Sequence, residues 1–139
     1  MPDHVIVLQK QQTKNFGCLL FLSNGTPMFC AGDEFMNTQG GNTNPYNPDN
    51  ETTWLNWDLL QKNQDIVRFF TLRIAFRKTH PFLGHSRCWR EDVHWYGIGT
   101  EIDRSLWLHS LAFCLHESFQ QDTDLYAMVN AYTEDLHFI

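Results

Sequence analysis

At 139 residues, with 42% hydrophobic and 19% charged residues, the chain has the length and composition of one ordinary soluble domain with room for a single hydrophobic core. Its 16 acidic and 10 basic residues give a net charge of −6 and a pI near 5.5, and Lys and Arg are scattered, which argues against nucleic acid as a partner. The longest apolar stretch, Phe16 to Leu22, is broken by Gly17 and too short to span a bilayer, and MPDHVIVLQK lacks the features of a signal peptide, so a cytoplasmic location without a membrane partner is the expectation.

In chain order, Val5 to Leu22 places Val5, Leu8, Phe16, Leu19 and Leu20 among Lys10, Gln11, Gln12 and Lys14, the pattern of an amphipathic helix running into a more buried end. Ser23-Asn24-Gly25 supplies C-cap chemistry, and Thr26 to Ala31 is a short apolar run predicted to form a buried strand. Gly32 to Asn50 then changes to Gly, Asn, Pro, Asp, Thr and Gln, with Gly40-Gly41, Asn44-Pro45 and Asn47-Pro48 as turn signals. A loop this long is uncommon in a compact domain unless it is functional or disordered, and Phe35, Tyr46 and Trp54 as anchors favour an ordered, functional one.

Asp65 is predicted to N-cap a helix over Ile66 to Lys78, with Ile66, Phe69, Phe70, Ile74 and Phe76 on a broad apolar face and Pro81 closing it. Beyond His80-Pro81 the pattern turns to short strands. Val93 to Ile98 is aromatic-rich; Leu111, Phe113 and Leu115 alternate with Ala112, Cys114 and His116; Leu125 to Tyr132 and Leu136 to Ile139 are further candidates, with a polar turn over Gln120 to Asp124. These are too few for a closed sandwich or barrel, so the β portion reads as unfinished.

Among reactive side chains, Cys18, Cys30, Cys88 and Cys114 are irregularly spaced among apolar neighbours, which reads as small buried hydrophobes rather than a disulfide framework or zinc site. The seven histidines make no H-E-x-x-H or helical H-x-x-x-H pair, so neither a metal site nor a cofactor is expected. An aromatic fraction of 14% has two readings, packing or platforms for sugar rings; His94, Trp95 and Trp107 are assigned to packing.

Two adjacent motifs carry a resemblance. Gly25 to Phe35, GTPMFCAGDEF, is similar to the G-x-P-x-x-x-x-G-D-E-[FY] segment that forms the eighth strand and following turn of the α-amylase clan barrel. Thr38 to Trp57, TQGGNTNPYNPDNETTWLNW, resembles the T-Q-x-G-N-x-N-x-Y-x-x-D-N-x-x-x-W loop of glycogen-debranching, isoamylase-type glycosidases. The preceding helix, the R-K-x-H-P ending and Asp92-Val93-His94-Trp95 resemble the neighbouring parts of such enzymes, so nearly the whole chain is covered.

The resemblance implies an α/β then β fold: residues 1–83 as the C-terminal portion of a (β/α)8 barrel carrying its last β/α unit, and residues 84–139 as the start of an antiparallel C-terminal β domain, apparently truncated. It implies hydrolysis of α-1,6 branch linkages in glycogen-like glucan by a retaining mechanism, with two carboxyl groups about 5–5.5 Å apart. In the clan those groups come from strands upstream of anything in this chain, so a fragment inactive alone is expected, with no catalytic residue of its own. Asp33 and Glu34, neighbours in sequence, are assigned to shaping the loop.

The loop would form one wall of the cleft, because barrel sites lie at the C-terminal ends of the strands. Asn42, Asn44, Tyr46, Asp49 and Asn50 have the chemistry to bind sugar: amides and carboxylates pair with hydroxyls and an aromatic face stacks on the ring. Equally, these Asn and Asp residues could serve only turn backbone. The alternatives to a fragment are a free-standing carbohydrate-binding or regulatory module with α-glucan as partner, and a structural subunit that completes a barrel supplied by another chain; exposed barrel surface would also allow self-association.

Overall fold

Residues Asp3–Leu22 form the first helix, α1, as the spacing predicts. The structure is a computed structural model and describes residues 2–84, 88, 91–99, 101–102, 109–116 and 123–139, which form two compact units, Met1–Thr79 and His80–Ile139. Pro2 sits at the N-cap of α1, where a missing N–H costs nothing, and its carbonyl accepts from Val5 and Ile6. The helix ends differently from the glycine cap expected. Ser23, in extended conformation, is the C-cap, its N–H reaching the Leu19 and Leu20 carbonyls, and Gly25 turns the chain two residues later at φ +102°.

The helix α2 (Asp58–Lys62) was not anticipated, being too short to show a periodicity, and it leads through Asn63 into α3 (Gln64–Thr79). The carbonyl of Asn63 accepts from Ile66 and Val67. Asp65 therefore lies in the first turn of α3 rather than at its cap, and its carboxylate instead holds Lys10 at 2.7 Å and Lys14 at 3.1 Å on α1. Those lysines, one helical turn apart, fall on one side of α1.

A close approach of α1 to α3 is made at Gly17, where a Cβ would lie 2.8 Å from the Phe69 ring. One turn further along, Phe21 packs with Ile66 and Phe70, and Met36 and Phe69 cover this cluster. The Phe21 and Phe70 rings meet edge-on with centroids 5.9 Å apart, and Phe29 sits 5.1 Å from Phe70. Much of the apolar pattern of α1 is nonetheless exposed, including Leu8, Phe16 and Leu19. The buried end expected is therefore confined to Gly17 and Phe21, while the side of α1 that α3 leaves open stays largely exposed among the described residues.

The predicted strand over Thr26 to Ala31 is not a strand here. Residues 26–30 have no ladder partner, and Met28 is 81% exposed. A strand exists only by pairing, and no other strand lies among the described residues of this unit.

The second unit is a three-stranded antiparallel sheet, β1 (Val93–Tyr96), β2 (Ser110–Leu115) and β3 (Leu125–Asn130), in the order β1-β2-β3. The alternation read from the sequence holds. Leu111, Phe113 and Leu115 share one face with their partners Val93, Trp95, Leu125, Ala127 and Val129, while Ala112 and Cys114 share the other with His94, Tyr96, Tyr126 and Met128. Phe113 and Leu115 are buried, and Trp95 covers Phe113 with ring centroids 5.3 Å apart. Pro81–Gly84 is a 3-10 turn whose Phe82 and Leu83 are buried. Leu136 to Ile139 is not a strand; among the described residues its Ile139 N–H reaches the Ile98 carbonyl. Helices followed by an antiparallel sheet is thus the architecture, and no helix among the described residues is long and apolar enough to cross a membrane. Trp107 and most of the turn before Asp124 lie outside the described residues.

Candidate functional site

The loop from Gly32 to Trp57 is assembled from short local hydrogen bonds. Gly32, at φ +100°, donates its N–H to Glu34 Oε2 at 2.8 Å, and the Cys30 N–H reaches Asp33 Oδ2 at 2.8 Å. Both carboxylates are thus turned onto backbone donors at the entry of a single 3-10 turn, Asp33–Phe35. The Gly32 carbonyl closes that turn by accepting from Phe35 and Asn37. The turn points Phe35 inward until it is fully buried, with its ring 5.5 Å from Trp57. Its carbonyl accepts from Nδ2 of Asn63, itself only 7% exposed.

Asn37 ties the far side of the loop. Its Oδ1 accepts from the Asn56 N–H at 3.0 Å and its Nδ2 approaches the Trp54 carbonyl at 3.5 Å, so residues nineteen apart in sequence are held together. Between them the chain runs as a string of Asx turns. Asn42 Oδ1 accepts from the Asn44 N–H at 2.9 Å, Asn50 Oδ1 from the Thr52 N–H at 3.0 Å, and Thr53 Oγ1 donates to the carbonyls of Pro48 and Asn50. Asp49 Oδ1 accepts from the Trp54 indole at 2.8 Å.

The five residues expected to bind sugar therefore divide by what else they do. Asn42, Asp49 and Asn50 have backbone or indole duties, which is the turn-serving alternative; their remaining polar atoms stay at the surface, as all three are exposed. Asn44 is exposed and Tyr46 is 93% exposed. An aromatic anchors by burying its face, and of the three expected anchors Phe35 does so while Tyr46 and Trp54 do not. Trp54 and Trp57 are more than half exposed, so Tyr46, Trp54 and Trp57 present aromatic surface along one loop.

An open cleft of about 840 Å³ lies beside the loop's entry, between α1 and the turn, lined among others by Gln9, Gln12, Phe16, Phe29, Asp33 and Asn37. None of the five expected sugar-binding residues lines it.

Sequence reasoning missed several side chains that hold the unit together. Arg77, near the end of α3, donates Nη1 to the Phe21 carbonyl at 2.6 Å and the Ser23 carbonyl at 3.0 Å, and Nη2 to the Gly25 carbonyl, so it caps the end of α1 and the turn after it. Burial pulls its pKa below the ordinary arginine value. Nothing in the local pattern flags such a long-range cap, nor the staples at Asn37 and Asn63. The reading of the cysteines as buried is corrected for Cys30 and Cys88, which are exposed, and Cys18 is half-buried; Cys114 is buried. Cys114 also lies with His116 and Asp124 in a group able to hold a cation, and here a signal was available: C-x-H on a strand puts both side chains on one face.

No family model matches the chain. It is 40% identical over 107 residues to a glycogen operon protein GlgX homolog of Mycobacterium tuberculosis, a match that covers 77% of this chain and 14% of that protein. It is 35% identical over 131 residues to the chloroplastic isoamylase 3 of Oryza sativa, covering 93% of this chain and 16% of that protein. A glycogen debranching enzyme of Dickeya chrysanthemi is 47% identical over 86 residues, covering 59% of this chain and 13% of the enzyme. The chain thus spans about one seventh of the length of these curated relatives. Over that segment it is a homologue of the glycogen-debranching and isoamylase-type proteins.

Proposed function

We propose that the chain is one segment of a debranching glycoside hydrolase that cleaves α-1,6 branch linkages in glycogen-like glucan, contributing a wall of the substrate cleft and none of the catalytic carboxylates. In this reading residues 1–83 are the end of a (β/α)8 barrel and residues 84–139 begin its C-terminal β domain. The observation that carries it is the 35% identity over 131 residues, 93% of this chain and therefore the whole Gly32 to Trp57 loop, to a protein named isoamylase, beside 47% identity over 86 residues to one named glycogen debranching enzyme.

Three features of the structure support it. Residues 26–30 are extended in sequence character yet unpaired, as a barrel strand without its neighbours would be. The apolar side of α1 that α3 leaves uncovered is the side a barrel would occupy. Asp33 and Glu34 are each turned onto backbone N–H groups, the duty of loop-shaping carboxylates rather than of an acid and nucleophile facing one bond. The same uncovered surface makes self-association of the isolated chain an expected consequence.

The test is an assay of the 139-residue chain alone on glycogen and pullulan, which is expected to release no reducing ends above background. Turnover approaching that of a debranching enzyme would sink the proposal.

One observation favours a second reading, a carbohydrate-binding module. The loop is held by bonds within its own unit, Asn37 to Asn56, Asn63 to Phe35 and Asp49 to Trp54, so its shape does not depend on absent strands. Titrating maltooligosaccharide against Trp fluorescence separates the two: saturable quenching lost in Tyr46→Ala supports a module, and a flat response to millimolar ligand removes it.

A further inference from the structure

The second unit carries a group of side chains that the glucan chemistry does not use. Cys114 lies in β2 and His116 one residue past its end, where the His116 N–H still reaches the Asp92 carbonyl beside β1, so the strand alternation carries both side chains to one face. The register places His94 of β1 and Tyr126 of β3 on either side of Cys114. Asp124, just before β3, reaches His116: its Oδ2 lies 2.7 Å from Nδ1 of the imidazole. The ligand atoms of Cys114, His116 and Asp124 all lie within 4.8 Å of one another. The His94 ring meets the His116 ring edge-on with centroids 4.9 Å apart.

The geometry points to a divalent zinc-class cation bound by Cys114 Sγ, His116 Nδ1 and an Asp124 carboxylate oxygen, with water completing the tetrahedron, so that the ion ties the end of β2 to the start of β3.

The donor set decides the class of ion. A thiolate with imidazole and carboxylate suits Zn2+ and its tetrahedral mimic Co2+, whereas Mg2+ and Ca2+ take all-oxygen sets. The distances are within reach. A tetrahedral ion with bonds of about 2.0–2.3 Å needs neighbouring ligand atoms roughly 3.3–3.6 Å apart. The His116 and Asp124 atoms must therefore open slightly and the thiol close in, which side-chain rotation supplies. On binding, the Cys114 S–H bond breaks, its proton passes to solvent, and the sulfur lone pair forms the metal bond. The site is half-open. Cys114 is 9% exposed, while the side chains of His116 and Asp124 are 37% and 56% exposed, so an ion can enter from solvent and meet a shielded sulfur. Three short strands, as among the described residues here, make the kind of small element that a bound ion holds in place.

The test uses the full chain. Co2+ titrated into reduced protein is expected to give a near-ultraviolet thiolate charge-transfer band with visible tetrahedral bands, saturating at one equivalent and abolished by Zn2+. Cys114→Ala should remove the charge-transfer band, and Cys30→Ser and Cys88→Ser should leave it. Asp124→Asn and His116→Ala should each weaken Zn2+ binding about 10-fold or more. Should Cys114→Ala fail to fold, peptide mapping of the wild-type chain replaces it: one equivalent of Zn2+ should slow alkylation of Cys114 at least about 10-fold while Cys30 and Cys88 react unchanged. No thiolate band in the wild-type chain, or unaltered Zn2+ affinity in both Asp124→Asn and His116→Ala, overturns the proposal. None of these readouts involves glucan, so the site stands or falls separately from the debranching reading.

Discussion

Gly32 shows how much one residue fixes in the loop. Its φ of +100° excludes a side chain, its N–H and carbonyl both close the Asp33–Phe35 turn, and a Cβ there would lie 2.6 Å from the Asn37 Cβ and 3.0 Å from Leu55. Gly40, at φ +63° with open space around it, has only the backbone term. Gly32→Ala should therefore cost about 2–4 kcal/mol, as left-handed strain and a clash with a stapling residue combine, against about 1 kcal/mol for Gly40→Ala. Urea denaturation of the two variants beside the parent measures the difference; equal midpoints for the two would refute the argument. The glycine and the G-D-E run were legible in the sequence as a turn. Phe35 was read as an anchor together with Tyr46 and Trp54; that these two would stay exposed was not legible, because burial of an aromatic depends on what lies opposite, and Trp57 and Asn63, which meet Phe35, lie twenty and more residues further on.

Between elements, beside the apolar packing of α1 on α3, the polar contacts of Arg77 and of Asp65 respond differently to perturbation. Arg77 donates to three carbonyls at the end of α1 with both terminal nitrogens of its planar fork. Arg77→Met should cost about 1–2 kcal/mol, less than three buried charged bonds, since the Ser23 and Gly25 carbonyls can turn to water. Arg77→Lys should recover little, because one ammonium cannot reproduce the fork. Thermal unfolding of the three proteins tests this; full recovery by lysine would show that charge rather than geometry matters. The Asp65 contact is electrostatic. The hydrogen bond from Lys10, with further help from Lys14, holds its carboxyl below the usual carboxylate range despite opposing desolvation. A depressed folded-state pKa means the contribution is complete above the unfolded value and is lost as pH falls through the lower folded one. Asp65 is 45% exposed, so the contribution is a few tenths of a kcal/mol to about 1 kcal/mol. Asp65→Asn should lower stability by that amount at pH 7, and the two proteins should converge when both are measured in strong acid. A gap that persists in acid would assign the loss to helix chemistry instead. Both helices were readable from spacing alone, but neither contact was, since a pattern along one helix does not say which residue of another will meet it.

At the scale of the whole chain, the elements that could be read from sequence are those whose partners lie nearby. β1, β2 and β3 appear where the alternation puts them because each finds its neighbour within this chain, through the registers Val93 to Leu115 and Ser110 to Asn130. The run over residues 26–31 has strand composition and no partner, so it stays unpaired with Met28 and Phe29 exposed. Composition specifies what a segment could become, and pairing decides whether it does. The same distinction leads to a measurable expectation for the first unit. Leu8 and Phe16, eight residues apart and therefore on one side of α1, are each more than half exposed, with Leu19 exposed between them around the helix, an apolar display larger than isolated surface residues explain. Such a surface is covered in water by whatever apolar partner is available, and in a solution of this chain alone that partner is a second copy. Sedimentation velocity over a hundredfold concentration range should show self-association that strengthens with salt, as a hydrophobic contact does and a contact between chains of net charge −6 also would once repulsion is screened. Replacing Phe16 with Gln and Leu8 with Lys should return the chain to monomer without disturbing Phe21, Ile66 and Phe70, so helix content should be unchanged. A parent chain that sediments as monomer throughout would mean that the exposed face of α1 is not sticky enough to matter, and the self-association reading would fall with it.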